Sequence, residues 1–350
     1  MSYYKDNNSY YYINHYLSLL YYPNSSNYTN INSNLEDNHK YILDKEIKLE
    51  GIAYSLCYLK NQKLIALGMK KKIILYDLLF NFQSSNNSLD GNEVSYIYEL
   101  SDGKILLTDL SETIKILKMV KNEIKIEQKI NTKEKRNFVG IELTNNKLIF
   151  GGSKYLSIID YSFFRSGYQL YNSLNLGSFI SNIVELNSDC FLIGKSHDST
   201  IIIFSSETFK EISTINNIYL RSNNYSIAKV SEEYVAIAGE EQSICTGCIY
   251  IFSINILKIV KKFYINDIFF CNVILKICSN EFITVGNTSD YWDLISLTIK
   301  KKGNNILINN NFNYTKLSGQ VIEAVILIDN YFIITDHLGN LKIWKKNNNI

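Results

Sequence analysis

Cys245-Thr246-Gly247-Cys248 has the spacing of half a zinc site. A structural zinc ion needs four ligands. The next Cys pair, Cys271 and Cys278, lies seven positions apart in one apolar run, and an odd separation turns the two side chains to opposite faces of a strand. Neither pair has a neighbouring His. They read as a loop thiol and a core thiol, and no metal is expected. His197-Asp198 and Asp336-His337 each offer an acid–base pair. Catalysis also needs a nucleophile or a second carboxylate within reach, with one group oriented by another. The sequence holds no Gly-x-Ser-x-Gly, no phosphate-binding Gly loop and no His-Glu-x-x-His. An Asp at such a place more often bonds local backbone amides. No catalytic residue, no enzyme activity and no cofactor are therefore expected.

The elements carrying these residues are short strands. Phe332-Ile333-Ile334-Thr335-Asp336-His337-Leu338-Gly339-Asn340-Leu341-Lys342-Ile343-Trp344-Lys345 reads as strand, polar turn, strand. Ile105-Leu106-Leu107-Thr108-Asp109, continuing to Ile114-Lys115-Ile116-Leu117-Lys118, repeats it in register. An earlier polar turn recurs as Lys60-Asn61-Gln62-Lys63, Ser101-Asp102-Gly103-Lys104 and Thr144-Asn145-Asn146-Lys147, then as Asn187-Ser188-Asp189, Ser231-Glu232-Glu233, Ser279-Asn280-Glu281 and Asp329-Asn330. The strands after it begin at Leu64, Ile105, Leu148, Phe191, Val235, Phe282 and Phe332, separated by 41, 43, 43, 44, 47 and 50 residues. A period near this length with four short strands per unit predicts a β-propeller. The seventh unit reaches Ile350 with only three strands, and the lone strand Lys45-Glu46-Ile47-Lys48-Leu49-Glu50 precedes the first. Pairing the two closes the ring and removes two open edges. The expectation is an all-β fold over 41–350: seven four-stranded antiparallel blades closed by an N-terminal strand.

Residues 1–40 differ. They hold nine Tyr and nine Asn without periodicity, which predicts a disordered low-complexity tail with one stickier stretch, Tyr11 to Leu20. Net charge is +2 and only Arg136, Arg165 and Arg221 are Arg, which argues against nucleic acid. No apolar run approaches the roughly 20 residues of a membrane-spanning helix. No basic segment precedes a clean apolar run at the N-terminus, so no signal peptide is expected. Six Cys at irregular spacing suggest free thiols in a reducing compartment, cytoplasmic or nuclear.

The Leu341-Lys342-Ile343-Trp344 ending and the period resemble the WD40-repeat propellers over 41–350. Tyr76-Asp77 is the nearest relative of that family's Trp-Asp signature. No Gly-His pair precedes a unit, so the family's structural hydrogen-bond tetrad is not complete in any blade. Kelch propellers match on period, but Gly151-Gly152 is the one Gly pair here. Tyr219-Leu220-Arg221-Ser222 and Phe163-Phe164-Arg165-Ser166-Gly167 distantly resemble the paired-Arg motif of phosphoinositide-binding propellers, with one Arg where that motif has two.

The resemblance implies a non-catalytic scaffold, a subunit of an intracellular complex, that binds a protein or peptide through the loops between second and third strands. A propeller enzyme with a central-channel site and a phosphoinositide-binding propeller are the alternatives. Those loops read as basic at Lys70, Lys71 and Lys72. They read as acidic and aromatic at blades five and six, where Glu240, Glu241, Asp290, Tyr291, Trp292 and Asp293 gather. Loop five, Glu240 to Cys248, reads as the longest insertion. Trp292 is the expected binding anchor, with burial between blades as its alternative.

Overall fold

In the computed structural model the described residues run from 41 to 347, without 87–88, 90–92, 122, 135–136, 163–166, 196–199, 217, 219, 221–225, 242, 245, 266–267, 269, 279–280, 288–291, 303–304 and 319–321. They form 28 strands and no helix. Strand β1 (Tyr41–Lys48) stands before the first blade. Blade one is β2 (Ala53–Leu59), β3 (Leu64–Met69), β4 (Lys72–Asp77) and β5 (Phe82–Asn86). Blade two is β6 (Tyr96–Glu99), β7 (Ile105–Thr108), β8 (Thr113–Val120) and β9 (Glu123–Asn131). Blade three is β10 (Asn137–Glu142), β11 (Lys147–Gly152), β12 (Tyr155–Ser162) and β13 (Gly167–Asn175). Blade four is β14 (Ile180–Asn187), β15 (Cys190–Lys195), β16 (Thr200–Ser205) and β17 (Glu211–Ile215). Blade five is β18 (Ser226–Lys229), β19 (Tyr234–Glu241), β20 (Thr246–Ser253) and β21 (Lys258–Tyr264). Blade six is β22 (Phe270–Cys278), β23 (Glu281–Asn287), β24 (Trp292–Lys302) and β25 (Asn305–Ser318). Blade seven is β26 (Ile322–Ile328), β27 (Tyr331–Asp336) and β28 (Asn340–Lys346).

Each blade is an antiparallel four-stranded sheet in chain order, except the seventh, whose order is β1-β28-β27-β26. The N-terminal strand thus supplies the missing fourth strand, as the strand count predicts. The first strands of successive blades touch all the way round, from β2·β6 to β26·β2, so the seven sheets form a closed ring.

The middle strands explain why. Ile105–Thr108 is buried at every position, and so are the four central residues of β4 and β16. A strand buried on both faces needs a sheet on both sides. The core accordingly divides into seven clusters, one per seam between blades. Full burial of one Leu, Ile or Phe contributes roughly 1.5–3 kcal/mol, so every seam holds several such contributions.

Polar latches join the blades. At the lower end, where first and second strands turn, Glu99 accepts from the amides of Lys60 and Asn61 at 2.6 and 3.0 Å in the preceding blade. Glu142 does the same with the Ser101 amide and hydroxyl, both 2.7 Å, and Glu185 with those of Thr144, both 2.8 Å. At the upper end Ser55 donates to Val94 O, Ser226 accepts from Ile274 N, and Thr335 donates to Ala53 O across the closing seam.

One register position admits each neighbour. Gly68, Gly151, Gly194, Gly239 and Gly286 occupy it in five blades, and Thr108 and Thr335 in the other two. A Cβ on Gly151 would meet Ile180 of the next blade at 2.4 Å, and one on Gly68 would meet Val94 at 2.5 Å.

β1 is held differently from the inner strands. Ile42 to Glu46 are exposed, Tyr41 is its one fully buried side chain, and the pairing slips between Leu43 and Lys45. Backbone pairing to β28 therefore does most of the holding. A chain beginning at Tyr41 is expected to unfold cooperatively. A chain beginning at Leu49 exposes the β28 edge and is expected to aggregate. Equal solubility and equal Tm for the two, by scattering and calorimetry, would show that β1 does not close the ring.

Candidate functional site

In blades two, three, five and seven the turns between second and third strands, at the upper end, are held by inward-facing carboxylates. In blade seven Asp336 is fully buried and accepts from the amides of Leu338 and Asn340 at 3.1 and 3.0 Å. It also accepts from the Asn340 amide side chain, with the Lys342 ammonium at 3.5 Å. Gly339 closes this turn at φ 77°, and a Cβ there would lie 2.7 Å from Gly51 O, so the position demands Gly. In blade two Asp109, also fully buried, accepts from Ser111 Oγ at 2.5 Å and is ion-paired with the buried Lys115.

Blade three has Gly152 where those blades have Asp. Its turn is held instead by Glu134, a buried residue of the preceding connection, which accepts from the amides of Lys154 and Tyr155 at 2.6 and 2.9 Å. In blade five Glu241 accepts from Tyr250 OH at 3.0 Å, from Ser243 Oγ at 3.3 Å and from Lys262. Lys262 sits over the rings of Tyr250 and Tyr264 at 5.0 and 4.7 Å. Burial works against its charge, but the hydrogen bonds to Glu241, Tyr264 and Tyr250 outweigh it and raise its pKa above the usual lysine range. Burial above all pushes the Tyr250 phenol up to about 12.

These facts correct the expected acidic and aromatic pole. Glu240 and Glu241 end strand β19, opposite Gly247 and Thr246, so loop five is only 242–245. Trp292 and Asp293 begin strand β24, opposite Asn287 and Gly286. All four are about 5% exposed. Trp292 packs with Tyr41, Phe332 and Trp344 in the seam between blades six and seven, so it is core and not an exposed anchor. The sign of this was Gly239 and Gly286, which share the position of Gly68 and mark strand rather than loop. The spacing of 50 residues before the last unit reflects the long hairpin of β24 and β25, at 11 and 14 residues, rather than an upper loop. Asp290 and Tyr291 lie outside the described residues.

The basic group stays on the surface. Lys70 and Lys71 are exposed, with Lys71 at φ 61° at the turn, and Lys72 begins β4 with its ammonium 3.1 Å from Glu50. Beside them in blade seven Leu338 is 53% exposed, and His337 is hydrogen-bonded to Glu323 at 2.9 Å rather than to its neighbour Asp336.

The other candidates for chemistry fall away from this face or outside the described residues. His197, Asp198, Cys245, Arg165 and Arg221 belong to the latter group. Cys248 and Cys271 are buried on opposite sides of blade five, in different seams. Burial pushes the Cys271 thiol up to about 12 and the Cys57 thiol to about 11, which leaves them protonated at neutral pH. Among the described residues no three potential ligands gather to hold a metal.

Two replacements test this arrangement. Trp292→Ala should cost about 3–5 kcal/mol of stability in denaturant unfolding, as for a large core residue. Asp109→Ala should cost about 3–5 kcal/mol because it strands the Lys115 charge, and adding Lys115→Met should restore part of the loss. A double variant less stable than Asp109→Ala alone would contradict the stranded-charge account.

No family model matches the sequence, and no curated protein matches it. Among solved structures the chain is similar to the WD40 domain of Neurospora crassa Pan2, with TM-score 0.68 over 90% of this chain and 98% of that one, at 10% identity. Ring, blade number and strand order thus agree with the resemblance carried by the repeats, and the chain folds as a WD40-like seven-bladed β-propeller.

Proposed function

We propose that this chain is a non-catalytic scaffold that binds a protein or peptide through its upper face, as a subunit of an intracellular complex. The supporting observation is the way the upper turns are made. Asp336, Asp109 and Glu134 pin the turns of blades seven, two and three from inside, so those turns are rigid. Leu338, His337, Lys70, Lys71 and Lys154 are left facing outward. Rigid presentation lowers the ordering cost of association, and an apolar tip among charges suits a protein partner. Lys70, Lys71 and Lys72 are part of the proposed site, and the exposure of Lys70 and Lys71 supports that reading. Glu240, Glu241, Trp292 and Asp293 are buried within the blades.

The test is quantitative co-purification from native cells. Tagged wild type, Leu338→Asp combined with Lys70→Glu and Lys71→Glu on the upper face, and Lys60→Glu with Lys63→Glu on the lower face are compared. The upper-face variant should lose its stoichiometric partners by about tenfold or more while its Tm stays near wild type, and the lower-face variant should keep them. Loss of partners only from the lower-face variant would move the site to the other end of the ring.

A further inference from the structure

Two carboxylates at the upper end of blades one to three are turned to the interior. Asp109 is fully buried and paired with Lys115, and Glu134 is buried and spent on two amides. Four lysines on the same arc are exposed: Lys70 and Lys71 at the turn of blade one, Lys133 beside Glu134, and Lys154 at the turn of blade three. Among the described residues none of these four ammonium groups lies within ion-pair distance of a carboxylate. Against these lysines and Lys72 the arc carries the exposed Glu112, Glu50, which Lys72 engages, and the half-buried Glu93, whose backbone bridges that of Lys70. The arc is therefore a surplus of positive charge that the fold does not neutralise.

We propose that this arc recognises an acidic, extended segment of a partner protein, with Asp and Glu interspersed with apolar residues. The inference rests on the upper-face reading of function and assigns the partner's chemistry. Glu240, Glu241 and Asp293, which the sequence places on this face as acidic loop residues, are buried and add no charge to its surface. Lysines are flexible point charges, which suit carboxylates at irregular spacing. Phosphate recognition favours the planar fork of Arg, of which the chain has three. Apolar tips border the lysines: Leu110, half-buried at φ 56° at the turn of blade two, and the exposed Leu338. A polynucleotide backbone offers nothing for these, whereas an acidic peptide with apolar side chains does.

The test uses fluorescence anisotropy on the full chain. The probe is a fluorescein-labelled peptide of about twelve residues alternating Glu or Asp with Leu, and its control carries Gln and Asn in place of the acids. The acidic peptide should bind, weaken about tenfold between roughly 50 and 300 mM NaCl, and lose about tenfold or more with Lys70→Glu, Lys71→Glu and Lys154→Glu combined. Lys60→Glu with Lys63→Glu at the lower end should leave it unchanged. Equal weakening by both variants, or equal binding of the uncharged peptide, overturns the proposal. So does tighter binding of single-stranded RNA or of phosphoinositide vesicles that the upper variant abolishes. If the acidic peptide fails to bind while the upper variant still loses its native partners, the acidic assignment falls alone. If those partners also survive, the upper-face reading falls with it.

Discussion

A blade of this protein has no core of its own. Its middle strands are apolar on both faces, and only two neighbouring blades can cover them. Six sheets in a row would leave two apolar faces in water, so the seams are stable only as a closed set. That requirement assigns β1 its place: exposed along most of its length, it contributes little apolar burial, yet without it the β28 edge is open. It also sets the close approaches at Gly68 and Gly151, where a side chain would hold neighbouring blades apart.

Closure governs polar groups as well. A turn that abuts the next blade has amides that water reaches poorly, and buried amides without partners are costly. At the upper end Glu134 and Asp336 satisfy turn amides and Asp109 holds the Ser111 hydroxyl, while at the lower end Glu99, Glu142 and Glu185 bond the amides of exposed turns in the neighbouring blade. At the upper turns Glu134 and Asp336 are thus drawn inward by backbone needs, while Lys70, Lys71 and Lys154, which have nothing to offer an amide donor, remain outside. The positive character of the upper arc follows from the fold even though the whole chain is nearly neutral.

This division decides what was legible in the sequence. The seven units, their strand starts and the closing strand could be read because apolar runs and polar turns alternate with a steady period. The starts at Leu64 and Ile105 coincide with the first residues of β3 and β7. The upper face was harder. Glu240, Glu241 and Asp293 are charged, and a charged residue next to a turn reads as exposed. What places them inside is strand pairing continuing past Gly239 and Gly286, and that shows only when those glycines are aligned with Gly68, Gly151 and Gly194. Trp292 was ambiguous for a related reason: aromatic character fits both an anchor and a seam. Glu134 gave no signal at all, because it serves a turn 20 residues away.

The repeat that first reveals the fold is also a charge-matching device. In blades two and seven Thr-Asp is followed six residues after the Asp by Lys, giving Asp109 with Lys115 and Asp336 with Lys342. At the corresponding third-strand position blades one and four, whose turns carry no such Asp, have Ile74 and Ile202. In these four blades acid and lysine occur together or are absent together; blade five differs, with the buried Glu240 at the Asp position and Ile249 at the Lys position. An unpaired charge in a seam costs several kcal/mol, whereas an apolar pair or a complete ion pair is tolerated, so the two positions are constrained jointly. The lysine adds little net stability under that logic. Its role is to pair the carboxylate inside the seam, where charge-assisted hydrogen bonds hold the turn donors more strongly than neutral ones. The rigidity of the upper turns in blades two and seven therefore depends on a residue buried one strand away, with no exposure on the face it stabilises in blade two.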